Sequence, residues 1–160
     1  MTTLVIGCGN PLRGDDAVGV NVVQRLQGHA LPDGVRCVDA GTSGLEVVLL
    51  IQDADRVIFI DAAASDGTTP PQPGRIHERS PDDLTAGDSW PPGGVSMHAV
   101  RWDQALALAK AMGYAPPAHI QCFLIEGGSF DHGSPLSPEV ETAAEQLVQR
   151  LLQDLSSEVS

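Results

Sequence analysis

Short apolar runs and helical periodicities alternate along the chain, and this alternation predicts an α/β domain with a mostly parallel sheet. Thr3 to Ile6 is a β-rich run that stops at Gly7. From Asp16 onward Val18, Val22 and Leu26 recur at helical spacing, which predicts the first helix. Val35 to Val38 reads as a second strand. Ser43 and Glu46 form an S-x-x-E capping box ahead of the unbroken apolar run Val47 to Ile51, so a buried second helix follows. Arg56 to Ile60 (RVIFI) is apolar after its first residue, the pattern of a central strand covered on both faces.

The regular pattern lapses between residues 65 and 94, which are rich in proline and glycine and offer one short strand, Arg75 to Arg79. This segment reads as a long excursion beside the sheet. A third helix follows, with Trp102, Ala105, Leu106, Ala109 and Met112 on one face and Gly113 as its C-terminal cap. His119 to Ile125 is the next strand. Ser137 as N-cap and Pro138 at the first helical position open the last helix, which turns Val140, Ala144, Leu147 and Leu151 inward. The whole reads as one domain over residues 1–155, with residues 156–160 fraying.

Composition narrows the choice of partner. The chain has 160 residues, enough for one core, and few aromatics, so that core is built from Val, Leu, Ile and Ala. Its formal charge of -12 repels phosphate backbones and anionic membranes, which argues against nucleic acid or a membrane as partner. No apolar run is long enough to span a bilayer. The start, MTTLVIG, enters a strand at once without a basic leader. Cys8, Cys37 and Cys122 form no CxxC pair and read as reduced, buried thiols, so the expected compartment is the cytoplasm.

In open parallel sheets ligands bind at the carboxyl ends of the strands, and three polar positions belong there. The loop after the first strand, GCGNPLRGDD, ends in Asp15 and Asp16. Capping of the first helix accounts for Asp15, but makes a second acid redundant, so Asp16 divides between a first-turn residue and a ligand. Asp61 directly follows RVIFI and is expected at the rim of the crevice. There, His98→Ala and Asp61→Asn would barely change stability. His98, with Ser96 as N-cap, falls in the first turn of the third helix, where a neutral imidazole able to bind a metal is favoured. Of the other histidines, His132 in FDHGSP has the best context. Two carboxylates and an imidazole suit an open metal site, although no HExxH spacing supports one. Gly7 and Gly9 do not complete GxGxxG, because Leu12 takes the third glycine's place. A GxSxG elbow is missing and Cys8 has no recognisable histidine partner, which weighs against serine and cysteine peptidases.

The stretch LVIGCGNPLRGDDAVGV resembles the N-terminal signature of the hydrogenase maturation proteases. The resemblance continues in order through Asp39 to Glu46 (DAGTSGLE), Arg56 to Ala62 (RVIFIDA), Ser96 to His98 (SMH) and the closing GSPLSPEVE. It implies a twisted sheet flanked by helices on both faces, a three-layer sandwich of the phosphorylase/hydrolase type. It further implies an endopeptidase that trims the C-terminus of a nickel-loaded [NiFe]-hydrogenase large-subunit precursor. Asp16, Asp61 and His98 would be its metal ligands and catalytic residues, with Asp16 or Asp39 assisting as base and Asn10, in the matched turn, helping to shape the site. The nickel would arrive with the precursor, and Zn or Cd could replace it in the free protein. Relatives carry Glu or Asp in the first loop, so Asp16→Glu would be tolerated and Asp16→Ala would not. Residues 65–94 would border the precursor-binding surface. Two other readings stand beside this one. A peptidyl-tRNA hydrolase shares the GxGNP turn, but would need a tyrosine and a T-R-H-N stretch where this chain has LRGDDAVGV. A nickel-precursor chaperone without catalysis would need the same three ligands.

Overall fold

A computed structural model describes residues 1–42, 44–64, 70–80 and 106–157. It contains a five-stranded sheet with strands β1 (Thr3–Cys8), β2 (Val35–Gly41), β3 (Arg56–Ala63), β4 (Ile76–Arg79) and β5 (His119–Glu126). Their order is β2-β1-β3-β5-β4. All neighbours pair in parallel except β4, an antiparallel edge strand on β5. The helices are α1 (Val18–Gln27), α2 (Gly44–Leu50), α3 (residues 106–111) and α4 (Pro138–Ser157). None of the described helices is long and apolar enough to cross a membrane.

The expected α/β class holds, and the alternation of side chains on each strand explains the three layers. Val5, Ile58, Ile60, Phe123 and Ile125 point to one face, where α1 (Val22, Val23, Leu26) and α4 (Val140, Ala144, Leu147, Leu151) cover them. Leu4, Ile6, Val57, Phe59 and Leu124 point to the other, against Val47 and Val48 of α2 and Ala109 of α3. As a run buried on both faces, RVIFI takes the middle position, and every residue of β3 is buried.

Several boundaries differ from the sequence reading. β1, β2 and β3 run on past their apolar stretches to Cys8, Gly41 and Ala63, because a neighbouring ladder continues to pair them: Cys8 pairs with Gly41, and Asp61 with Leu124. Asp39 and Asp61 therefore lie inside strands. Met112, expected to face inward, is 52% exposed, since α3 ends at residue 111 and Met112 no longer follows the helical spacing. Gly113 supplies the positive φ (84°) that closes this helix, as expected of a cap. The last helix continues to Ser157, past the point where fraying was expected to begin. Ser43, Ser96, His98, Trp102, Ala105 and most of the 65–94 segment lie outside the described residues.

One helix seat fixes the geometry of the strand ends. A Cβ built on Gly19 of α1 would stand 2.2 Å from the Ile60 carbonyl oxygen and 2.4 Å from that of Cys8. Helix backbone thus rests directly on the end of β1 and on β3 at Ile60, which only glycine allows. Both neighbours are strand backbone, so nothing can rotate aside. We expect Gly19→Ala to destabilise the protein by about 3 kcal/mol, at the upper end of overpacking costs, measured by urea unfolding. A loss below about 0.5 kcal/mol would show that the seat is not tight.

Candidate functional site

The chain passes from β1 to β2 on one side and from β3 to β5 on the other, so a crevice opens at the carboxyl ends of β1 and β3. The loop after β1 crosses this opening. Gly9 has φ 127°, and a Cβ there would stand 1.9 Å from the Asp16 carbonyl oxygen and 3.7 Å from its Oδ1. That contact seats Asp16, in the 3-10 turn Gly14–Ala17, over the end of β1. The Asn10 backbone N–H donates to Asp16 Oδ2 at 2.9 Å.

Asp61 stands on β3, the neighbour of β1 in the sheet, one residue beyond the Gly7–Ile60 pair. Along β3 it shares a face with Phe59 and Ala63, the face covered by α2 and α3. Its Oδ1 accepts the Ala62 N–H at 2.8 Å. Asp16 and Asp61 are both fully buried. This corrects the expectation that Asp61 emerges at the rim of the crevice: the ladder carries β3 beyond it, and it is buried. Truncating Asp61 would open a cavity, so a change there is not neutral to stability.

Asp39, two residues before the end of β2 at the same edge, is exposed and accepts the Gly41 N–H on Oδ1 at 2.8 Å. Cys8, buried at the end of β1, has its thiol pushed well up by burial and then by the charges of Asp61 and Asp39. Cys122 is pushed up by burial, Asp61 and Cys8, and the half-buried Cys37 to about 11 by burial. All three are free cysteines held as thiols, and none is an activated nucleophile. His132 is exposed in the loop beyond β5, on the crevice side, whereas His119 begins β5 at the opposite edge. Among the described residues no three His, Cys, Asp or Glu side chains gather into a metal cage. The structure thus brings Asp16, Asp61 and Asp39 to one edge, and His98 falls outside the described residues.

Asp15 does something the sequence reading missed. It was expected to cap the first helix, but no side chain caps the Gly14–Ala17 turn or α1. Its buried carboxylate instead accepts Gly128 N–H (2.7 Å), Ser129 N–H (2.9 Å) and Ser137 Oγ–H (2.6 Å) on Oδ2, and Ser137 N–H (2.6 Å) on Oδ1. Ser137 holds the N-cap position of α4, as expected, but gives its hydroxyl to Asp15. The redundancy of two adjacent acids was the available signal, since one helix start needs only one.

Comparison with known proteins decides the family. A model described as hydrogenase maturation protease (HycI) matches residues 20–154. The chain belongs to the hydrogenase maturation protease family. The matched span includes Asp61 and position 98 and begins after Asp16. The chain is 34% identical over 140 residues to the hydrogenase expression/formation protein HupD of Rhodobacter capsulatus, covering 86% of this chain and 63% of that protein. It is 40% identical over 83 residues to a putative hydrogenase maturation protease of Methanocaldococcus jannaschii, covering 51% of each. The chain therefore spans less than two thirds of the length of these curated relatives. Its fold is similar to the hydrogenase maturating endopeptidase HybD of Escherichia coli, with a TM-score of 0.81, 26% identity, and 99% of this chain and 94% of that one covered. That superposition takes in the first loop, and the resemblance seen in the motifs is a family relationship.

The Asp15 network yields a stability prediction. Asp15→Ala strands four donors, and each unsatisfied buried donor costs about 1–3 kcal/mol. Water can reach some of these partly buried groups, so we expect a loss of about 3–5 kcal/mol by chemical denaturation. A variant as stable as wild type would show that the carboxylate does not hold the loop.

Proposed function

We propose that this protein is an endopeptidase that removes a C-terminal peptide from the nickel-loaded large-subunit precursor of a [NiFe]-hydrogenase. The observation that carries the reading is two buried carboxylates, Asp16 in the turn after β1 and Asp61 in β3, at the switch-point edge of a chain in this family. A buried carboxylate is costly unless its charge is compensated, and a divalent cation is one way to compensate it. Oxygen donors on separate elements make an open site, with positions left for a substrate that brings its own metal. In this proposal Asp16, Asp61 and His98 complete the coordination of the precursor's nickel, which docks the cleavage segment in the crevice. Zn or Cd would occupy the same ligands when no precursor is bound.

Hydrolysis needs a water and a base beside the scissile carbonyl. In this proposal Asp16 or the exposed Asp39 takes the water's proton. The thiols are too buried and too weakly acidic for nucleophilic catalysis. Three free cysteines suit a reducing compartment, and we place the reaction in the cytoplasm.

The test is the mass of the precursor after incubation with purified protein. Nickel-loaded precursor should lose its C-terminal peptide, and nickel-free precursor should stay intact. Asp61→Asn, which keeps the shape of the buried side chain, and His98→Ala should each lower the cleavage rate by at least about 1000-fold, the scale on which electrostatic groups at a reacting centre act. Binding of nickel-loaded precursor without any cleavage would favour a chaperone. Near wild-type cleavage by His98→Ala, or cleavage of nickel-free precursor, would contradict the metal-docked mechanism.

A further inference from the structure

The loop carrying Asp16 holds a second polar residue bonded to its carboxylate. Asn10 follows β1 and is partly exposed. Three hydrogen bonds fix it: its backbone N–H donates to Asp16 Oδ2 (2.9 Å), its backbone oxygen accepts Arg13 N–H (3.2 Å), and its Oδ1 accepts Leu12 N–H (2.9 Å). The last bond closes an Asx turn and identifies which side-chain atom is the oxygen. Leu12 is itself held, because its carbonyl accepts Gly133 N–H at 2.8 Å from the loop beyond β5. The amide plane of Asn10 is thus set on both sides, and its Nδ2, with two N–H donors, has no acceptor among the described residues. The bond to Asp16 seats this donor pair beside the carboxylate of the candidate site.

We propose that Asn10 is a catalytic hydrogen-bond donor, its Nδ2–H held for the scissile carbonyl oxygen of the precursor. This rests on the endopeptidase reading above. Water adds to the carbonyl carbon, and the carbonyl π pair moves onto oxygen. The resulting oxyanion is the species the Asn10 N–H groups stabilise. The pair then returns, the C–N bond breaks, and the proton lost by the water passes through a crevice carboxylate to the leaving nitrogen. Carboxylates alone cannot do this work, since a second negative charge near the oxyanion opposes its formation. A fixed neutral donor favours the transition state and requires no reorganisation when the charge appears. The turn explains why the residue is not simply polar: Oδ1 orients the group and Nδ2 acts.

The test separates a donor from a turn former. Asn10→Asp keeps an acceptor for Leu12 N–H and removes the donors, and Asn10→Ser keeps a shorter acceptor without adding charge. With nickel-loaded precursor, both folded variants should lose about 100- to 1000-fold in kcat, the range for loss of one oxyanion donor. KM should stay within about threefold, because the ground-state carbonyl is bound weakly. Melting temperatures near wild type establish that the turn survives. If Asn10 only shapes the loop, Asn10→Asp will keep its kcat within about threefold of wild type, and the inference is overturned. The same holds if the loss appears in KM alone. If wild-type protein fails to cleave at all, the endopeptidase reading falls and this inference falls with it, whereas active wild type with active variants removes this inference alone.

Discussion

The carboxylate of Asp15 is the interaction on which the crevice depends. It gathers four donors from residues 128–137, while its own N–H donates to the Ser129 carbonyl at 2.8 Å. Two connections that are distant in sequence, the one after β1 and the one after β5, become a single rigid rim. Hydrogen bonds to a charged acceptor are the stronger kind, and burial protects them from competing water. Asp16 is the next residue, so the same lock that joins the loops sets the position of the first candidate ligand. The start of α4 is bound into it as well through Ser137, which couples the last helix of the fold to its first loop.

A second constraint meets the first at the strand ends. Gly19 lets α1 sit on the backbone of β1 and β3, and Gly9 lets the loop fold back onto Asp16. Together they allow a carboxylate from the loop and a carboxylate from the middle strand to lie at one edge of the sheet and out of solvent. Neither acid would be tolerated there as core filling, for burying charge costs several kcal/mol unless it is compensated. Structures of this sort keep such costs where function requires them.

Most of the fold is legible in the sequence because its elements are strongly patterned. RVIFI could only be a covered strand, and the Ser137–Pro138 start of α4 was marked by chemistry that has few other uses. What sequence could not supply was continuation by pairing. Nothing in the residues after Ile60 announces that β3 runs on to Ala63, since the reason is the ladder with β5. Asp61 was therefore placed at the correct edge but at the wrong depth. Asp15 was misread for a related cause: its partners lie more than a hundred positions away, and local capping rules see only the nearest helix. Helical spacing likewise overran α3 at Met112, which already belongs to the turn closed by Gly113.

In the proposed mechanism a substrate's nickel is met in the crevice by side chains of this protein. X-ray absorption at the nickel edge of the loaded precursor, recorded alone and after mixing with uncleaving Asp61→Asn or His98→Ala protein and with wild type at short times, observes that metal directly. The account predicts additional oxygen and nitrogen ligands on nickel with wild type, and one fewer with each variant. A nickel spectrum unchanged by wild-type protein, under conditions where the precursor is being cleaved, would contradict it.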